Sequence, residues 1–425
     1  MRILIIAYYF PPETYATMAS LRPYSWAKYW HRSGHEICIL TTPKNRDEVE
    51  KHPWTNVHIE EVPLPVLRAK NLSGEKDLST EKKAKRGNLR ERLIALQKNL
   101  GAGSLLYGSN LWIFNALGKA IELHRQQPFD VVVSTYSPPA SPIVAGILKR
   151  KFDIFWVADY RDLWHDNAYT RAKFPFAWIE DRLENYYVGK ADLITTVSEP
   201  LAAQLARRFR QPIRSIENGF DLEELPEERY LFPDNGKIRV AYTGSIYPGK
   251  QDPSPLFQAI QELGTEKNRL EILFYTFESD YLNSLISRYN LHGVVQINSF
   301  INRIDCLQIQ KTVDLLLFLD WNDPTTEGIL TGKIFEYMYS GVPVLALGSD
   351  RGTVASQLIQ EAGIGVCLGN SSKAIADFLR DLVKGIRPDY NPDRNVLQRY
   401  TREKLAATML EEIQKHQKRF LGENR

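Results

Sequence analysis

Short apolar runs, each bounded by glycine, proline or small polar residues, recur along the chain and are followed by stretches carrying helix signals. The runs predict strands over residues 3–8, 37–41, 131–134, 154–158 and 193–197, then over 238–243, 270–275, 294–297, 315–319 and 342–347. Strand alternating with helix implies parallel, doubly wound sheets. A stretch rich in proline and glutamate, residues 222–235, separates the two series, so the chain reads as a first domain over 1–222 and a second over 236–398. In such sheets ligands gather beyond the carboxyl ends of the strands, and the loops there are where chemistry is sought.

One of those loops stands out. After the apolar run Leu315–Leu319 come Gly328 and Gly332, then a helix pattern, then Gly341 and a further strand. Thr331 can cap the helix, Ile334, Tyr337 and Met338 give it an apolar face, and Gly341 suits a left-handed C-terminus. A strand, a glycine-bearing loop and a helix N-terminus concentrate free N–H groups and the positive end of the helix dipole, which makes an anion site. Lys333 and Glu336, three apart, share one face of that helix. A cation there and a carboxylate one turn on can hold a diphosphate and then a ribose diol. An exposed ion pair on an ordinary helix is the plainer alternative.

Composition narrows the classes. A length of 425 residues predicts two or three domains, and a formal net charge of only +3 gives no global case for nucleic acid. Cys38, Cys306 and Cys367 are scattered, without metal or redox spacing, which fits a reducing, cytoplasmic setting. The apolar run at the N-terminus is too short for a signal segment, and no stretch approaches eighteen apolar residues. Residues 66–100 differ: Arg68, Lys70, Lys76, Lys82, Lys83, Lys85, Arg86, Arg90, Arg92 and Lys98 outnumber the acids, then Leu89, Leu93, Leu96 and Leu100 fall at helical spacing. Such a segment suits either a solvated insertion or a peripheral contact with anionic membrane. Phosphate-loop, dinucleotide, serine-hydrolase and zinc-protease motifs are missing, the histidines form no cluster, and Asp320-Trp321-Asn322-Asp323 reads as a loop rather than a metal motif.

Glu336-Tyr337-Met338 and Gly341-Val342-Pro343-Val344 resemble the nucleotide-sugar motif of the glycosyltransferase family 4 enzymes, and Gly332-Lys333 with Glu336-Tyr337 resembles a branch making bacterial surface polysaccharides. The resemblance implies the GT-B fold: two Rossmann-like doubly wound α/β domains with parallel sheets facing a central cleft. It further implies a retaining transfer of a sugar from a nucleoside diphosphate sugar to an acceptor hydroxyl on a glycan or lipid-linked acceptor, with no metal cofactor. Glu336 takes the ribose-binding role; Glu327, with eight residues between it and Glu336 where the family has seven, takes the sugar-contacting one.

The first half carries further likenesses. Tyr9-Phe10-Pro11-Pro12-Glu13, Arg22 and Gly34-His35-Glu36 fit the family, whereas Tyr15-Ala16-Thr17-Met18 stands where it has a Gly-Gly pair. Asp159-Tyr160-Arg161-Asp162-Leu163-Trp164 resembles the branch's Asp-Phe-Arg-Asp-Pro-Trp. The resemblance, joined for Tyr136, Arg161, Asp162 and His165 by their place after strands, implies Glu13, Arg22, Tyr136, Arg161, Asp162 and His165 as the acceptor set, with a structural Arg161–Asp162 ion pair as the plainer alternative. In the second half Gly244, Ser245, Lys250, Asn302, Gly328, Thr331, Gly332, Lys333 and Glu336 form the donor set, although Lys250 also suits a solvated loop. Lys250 and Lys333 would stabilise the departing diphosphate, with Glu327 and Asp162 nearest the chemistry. Residues 399–425 resemble the family's C-terminal helix, which crosses back to the first domain. A nucleotide-sugar epimerase of the same architecture and a non-catalytic nucleotide-binding partner remain alternatives.

Overall fold

The computed structural model describes residues 1–11, 18–43, 57–65, 100–167, 170–224, 226–227, 230–321, 328–348 and 352–423. The basic stretch predicted over 66–100 lies outside these apart from Leu100, as do Glu13 and Glu327. By packing, the described chain divides into two units: the first takes in residues 1–11, 19–216 and those from Ala406 on, and the second spans Glu217–Leu405 together with Met18.

The first unit is built on seven parallel strands: β1 (Arg2–Ile6), β2 (Glu36–Thr41), β3 (His58–Glu61), β4 (Val131–Tyr136), β5 (Phe155–Tyr160), β6 (Leu193–Thr196) and β7 (Ile213–Ser215). Their spatial order is β3-β2-β1-β4-β5-β6-β7, so the winding reverses between β1 and β4. The second unit has six: β8 (Ile238–Thr243), β9 (Leu270–Tyr275), β10 (Val295–Asn298), β11 (Leu315–Leu319), β12 (Val344–Leu347) and β13 (Gly365–Gly369), in the order β10-β9-β8-β11-β12-β13 and again all parallel. Here the reversal falls between β8 and β11, and the loops leaving those two strands flank the crevice where doubly wound sheets bind ligands.

Both sheets are covered on two faces, and the sequence shows why. In β11 the side chains alternate: Leu315, Leu317 and Leu319 join one apolar cluster, Leu316 and Phe318 another. A strand buried on both sides has no polar face to show, hence its unbroken apolar run. Each such residue contributes about 1.5–3 kcal/mol by leaving water. β12 begins two residues later than the apolar run suggests, because Val342 and Pro343 form the approach from Gly341, whose φ of 78° ends the helix Gly332–Ser340.

The helix Arg402–Glu423 starts in the second unit and from Ala406 packs within the first. There the Ala406 carbonyl accepts from Trp30 Nε1 at 2.8 Å, Glu412 pairs with Arg214 at 2.8 Å, and Phe420 lies edge-on to Phe155. Just before it, Phe220 N–H donates to the Tyr400 carbonyl at 3.1 Å and Arg402 N–H to the Phe220 carbonyl at 2.8 Å. No helix among the described residues is long and apolar enough to cross a membrane.

Candidate active site

In the second unit the loops after β8 and β11 meet at the helix Gly332–Ser340. Lys333 is partly buried, and its Nζ donates to Tyr242 Oη at 2.8 Å and to the Ser245 carbonyl at 3.1 Å. Tyr242 in turn donates its hydroxyl to the same carbonyl at 2.7 Å, and the ammonium lies 4.6 Å from the centre of the Tyr242 ring. The lysine stem passes over Gly244: a Cβ there would sit 2.7 Å from Lys333 Cε, and Gly244 has φ of 107°. No side chain larger than hydrogen fits both demands.

Lys333 therefore rests on neutral oxygens, and no ion pair joins it to Glu336. Burial lowers its pKa from 10.5 to about 8, a fall opposed by the nearby charge of Glu336, then Cys306 and Glu278. The plainer alternative, an exposed pair between Lys333 and Glu336, is not what the side chains make. Glu336 instead accepts from Arg303 on one oxygen and from Gln310 Nε2 at 3.2 Å on the other. Arg303 also donates to Glu224 at 2.7 and 3.1 Å, and the far oxygen of Glu224 takes Arg402 at 2.6 Å. Gln310 also donates to Thr243 Oγ1 at 2.9 Å, at the end of β8.

The other donor residues are placed as follows. Lys250 sits in a turn closed by its own N–H to the Tyr247 carbonyl, with its ammonium 5.9 Å from the Trp321 ring. Its neighbour Gln251, buried, donates to the Leu319 carbonyl at 2.7 Å and so ties this loop to the end of β11. Gly328 has φ of 88° and Gly332 opens the helix. Thr331 stands at the capping position, but its hydroxyl makes no capping bond and is buried without a partner among the described residues. Asn302 is an N-cap, accepting from Asp305 N–H at 3.0 Å at the start of the helix Arg303–Gln310. Asp320 accepts from Trp321 N–H and from Thr353 Oγ1, which makes it a loop brace. Among the described residues no group of three acidic, His or Cys side chains is arranged to hold a metal ion.

In the first unit the expected acceptor residues fall into two groups. Arg22 is buried against Asp159 with bonds of 2.7, 3.1 and 3.2 Å, and Thr135 and Thr195 donate to the same carboxylate at 3.1 and 2.8 Å. Its guanidinium is thus committed inside the fold. Arg161 does not bond Asp162; it donates to the Tyr136 and Ser137 carbonyls, both at 3.1 Å. The charge of Arg161 lies close enough to oppose the rise in the Asp162 pKa that burial causes. Tyr136 is buried, its ring stacked on Trp164 at 5.8 Å. His165 donates its N–H to Glu184 at 3.3 Å, while its ring Nδ1 is buried and unpartnered among the described residues.

Beneath this group lie two carboxylates that sequence reasoning passed over. Glu180 and Glu184, on the helix Phe176–Val188, are fully buried, and burial raises both pKa values. Glu180 accepts from Ser104 N–H and Oγ, both at 2.5 Å, where Gly103, with φ of 56°, leaves room that a Cβ would fill. Glu184 accepts from Tyr160 Oη at 2.8 Å and from Arg208 at 2.6 Å. Four-residue spacing on a helix would have shown that they share a face, but not that the face turns inward.

Comparison with known proteins gives the fold its context. Residues 20–219 match the family model described as glycosyl transferase 4-like domain. A search of curated proteins finds no match. Among solved structures the chain is similar to a sucrose-phosphate synthase from Thermosynechococcus elongatus, at 13% identity and TM-score 0.63 over 97% of this chain and 98% of that one. It is also similar to a glycosyltransferase from Rickettsia africae ESF-5, at 14% identity and TM-score 0.61 over 98% of each. A UDP-GlcNAc 2-epimerase from Methanocaldococcus jannaschii matches at 12% identity and TM-score 0.55, over 97% of this chain and 99% of that one. Two parallel-sheet Rossmann-like units in one chain, with neighbours of this kind, make the fold that of the GT-B glycosyltransferases.

Proposed function

We propose that this protein is a retaining glycosyltransferase that moves a sugar from a nucleoside diphosphate sugar to an acceptor hydroxyl, in the synthesis of a bacterial polysaccharide or glycolipid at the cytoplasmic side of a membrane. The observation that carries this reading is Lys333, a partly buried cation resting on Tyr242 Oη and the Ser245 carbonyl, one residue into a helix, with no carboxylate bonded to it among the described residues. An incoming diphosphate supplies the missing counter-charge, and the free N–H groups of the helix start add to it. Glu336, one turn further, is held by Arg303 and Gln310 in a position to accept from a ribose diol.

In this mechanism negative charge grows on the diphosphate as the glycosidic bond breaks. Lys333 and Lys250 stabilise that charge more in the transition state than in the ground state. Two cations and oriented N–H groups take the part a divalent ion would otherwise play. Asp162 and His165, with Arg161 beside them, are the groups offered to the acceptor, and Glu327 to the transferred sugar. An epimerase would need a carboxylate free to give and take a proton at the sugar; among the described residues the carboxylates near Lys333 are Glu336, which Arg303 holds ionised and able only to accept, and Glu278, which accepts from Ile246 N–H and Thr276.

The test begins with thermal-shift titration of UDP, GDP and their sugars. A nucleotide at a hundred times its dissociation constant should stabilise the fold by about 2.7 kcal/mol. Glu336→Gln should weaken that binding while a 2′,3′-dideoxy analogue binds both proteins alike. Unchanged affinity for the ordinary nucleotide would confine Glu336 to its row of ion pairs. Sugar release that needs no acceptor would favour epimerisation over transfer.

A further inference from the structure

The helix Phe176–Val188 is amphipathic in the reverse of the usual sense. Its carboxylates are spent inside the first unit: Glu180 and Glu184 are 0% exposed, and Asp181, partly open, is neutralised by Arg208 at 2.7 Å. The side turned to water carries aromatic rings. Phe174, just ahead of the helix, is 86% exposed, Trp178 57% and Tyr186 56%. Trp178, exposed Arg182 and Tyr186 are spaced four apart, so they form one row on a single helix face, and Phe174 stands exposed just ahead of its start. Eight residues of helical rise, from Trp178 to Tyr186, give that row a length of about 12 Å.

Cations attend the rings. The Arg182 guanidinium lies 5.3 Å from the Trp178 ring, and Arg150, from the helix Ala140–Phe152, lies 3.4 Å from the Tyr186 ring. Lys173 is exposed beside Phe174, and its N–H to the Gly101 carbonyl at 2.7 Å holds in place a segment exposing Leu100 and Leu106. Water-facing Trp178 and Tyr186 on one helix face, Phe174 exposed ahead of its start, arginines laid against the two rings and no free carboxylate on the helix match an extended surface that is apolar below and anionic above.

We propose that this face docks on an anionic lipid bilayer, the rings sitting at headgroup depth and the cations over the lipid phosphates. The docking is independent of the nucleotide chemistry and of the basic stretch at 66–100. Each cation near such a surface strengthens binding by roughly fivefold, an effect that salt screens.

The experiment is co-sedimentation of the whole chain with vesicles of phosphatidylcholine alone and of phosphatidylcholine mixed with phosphatidylglycerol. Wild type should partition to the mixed vesicles at low salt. Trp178→Ser with Tyr186→Ser should cut that partition by about tenfold or more. Arg150→Glu with Arg182→Glu should abolish the preference for the anionic lipid. Ile386→Ser, an exposed apolar residue of the second unit, serves as the control and should change nothing. All these positions face solvent, so melting temperatures should stay within about 2 °C of wild type. Undiminished partition of the Trp178/Tyr186 variant overturns the proposal, as does failure of wild type to prefer mixed vesicles. Binding to soluble polyglutamate but not to vesicles would also overturn it, assigning the face to an acidic protein.

Discussion

Two cations, buried Arg22 in the first unit and partly buried Lys333 in the second, have opposite surroundings. Arg22 in the first unit is gripped by Asp159, whose oxygens are further saturated by Thr135 and Thr195, and the whole set is nearly inaccessible. Lys333 in the second has a hydroxyl and a carbonyl for company, and burial holds its pKa near 8. A charge balanced within the fold is part of the scaffold. A charge whose bonds among the described residues go only to neutral oxygens is poised for an anion from outside, and the desolvation that makes it costly at rest makes the later contact strong.

The largest effect is expected at Asp159. Asp159→Ala leaves Arg22 buried without its carboxylate and should cost about 3–5 kcal/mol, lowering the melting temperature by something like 10 °C. Calorimetric melting checks it. An Asp159→Ala protein that melts normally but loses acceptor turnover would move the pair from scaffold to site.

At Lys333 the expected outcome is the converse. Lys333→Ala should fold and melt nearly as wild type yet lose roughly 10²–10³ in kcat, the range for a lost donor at developing charge. Lys250→Ala should also lower kcat, and the double variant should lose less than the product of the two because both act on one charge. Steady-state kinetics with saturating donor separates these effects from changes in KM.

The smallest effect is a pH dependence. Below about 8 Lys333 is charged in the free protein and the diphosphate meets an ammonium; above it the site must take up a proton on binding. Calorimetric affinity for a nucleoside diphosphate should therefore fall as pH rises through 8, by up to about tenfold per unit, and Lys333→Ala should flatten the profile. Stability without ligand runs the other way: the folded pKa lies below the unfolded 10.5, so the unfolded chain holds the proton more tightly between about 8 and 10.5. On this group's account stability rises with pH across that window.

What the sequence revealed follows from range. The long apolar runs were legible because burial on both faces leaves no other reading. The strands passed over, β3, β7 and β13, are all at sheet edges: His58–Glu61 is polar, Ile213–Ser215 has three residues, and Gly365–Gly369 is bounded by glycines. Gly244 and Lys333 were legible because each follows a strand's carboxyl end. Tyr242 looked like an ordinary core aromatic, and nothing local announces that its hydroxyl receives Lys333, 91 residues on. Arg22 and Asp159 sat in separate motifs 137 residues apart, so their union was invisible until the strands were ordered. Thr331 failed for a different reason: its type and place suit a cap, but its hydroxyl turns inward and bonds nothing described.

The helix Arg402–Glu423 sets a timetable for the protein's own birth. Trp30, Asp130, Phe155 and Arg214 all come before Glu217, yet each has a partner between Ala406 and Phe420. On a ribosome adding about 5–20 residues per second, the first sheet is made many seconds before the helix that completes its cover. Through that interval the nascent first unit must wait half-dressed, with the Trp30 indole lacking the Ala406 carbonyl and the Phe155 ring lacking Phe420. The second unit, whose strands all lie between Ile238 and Gly369, can close its sheet earlier in its own synthesis. The part made first is thus the part finished last.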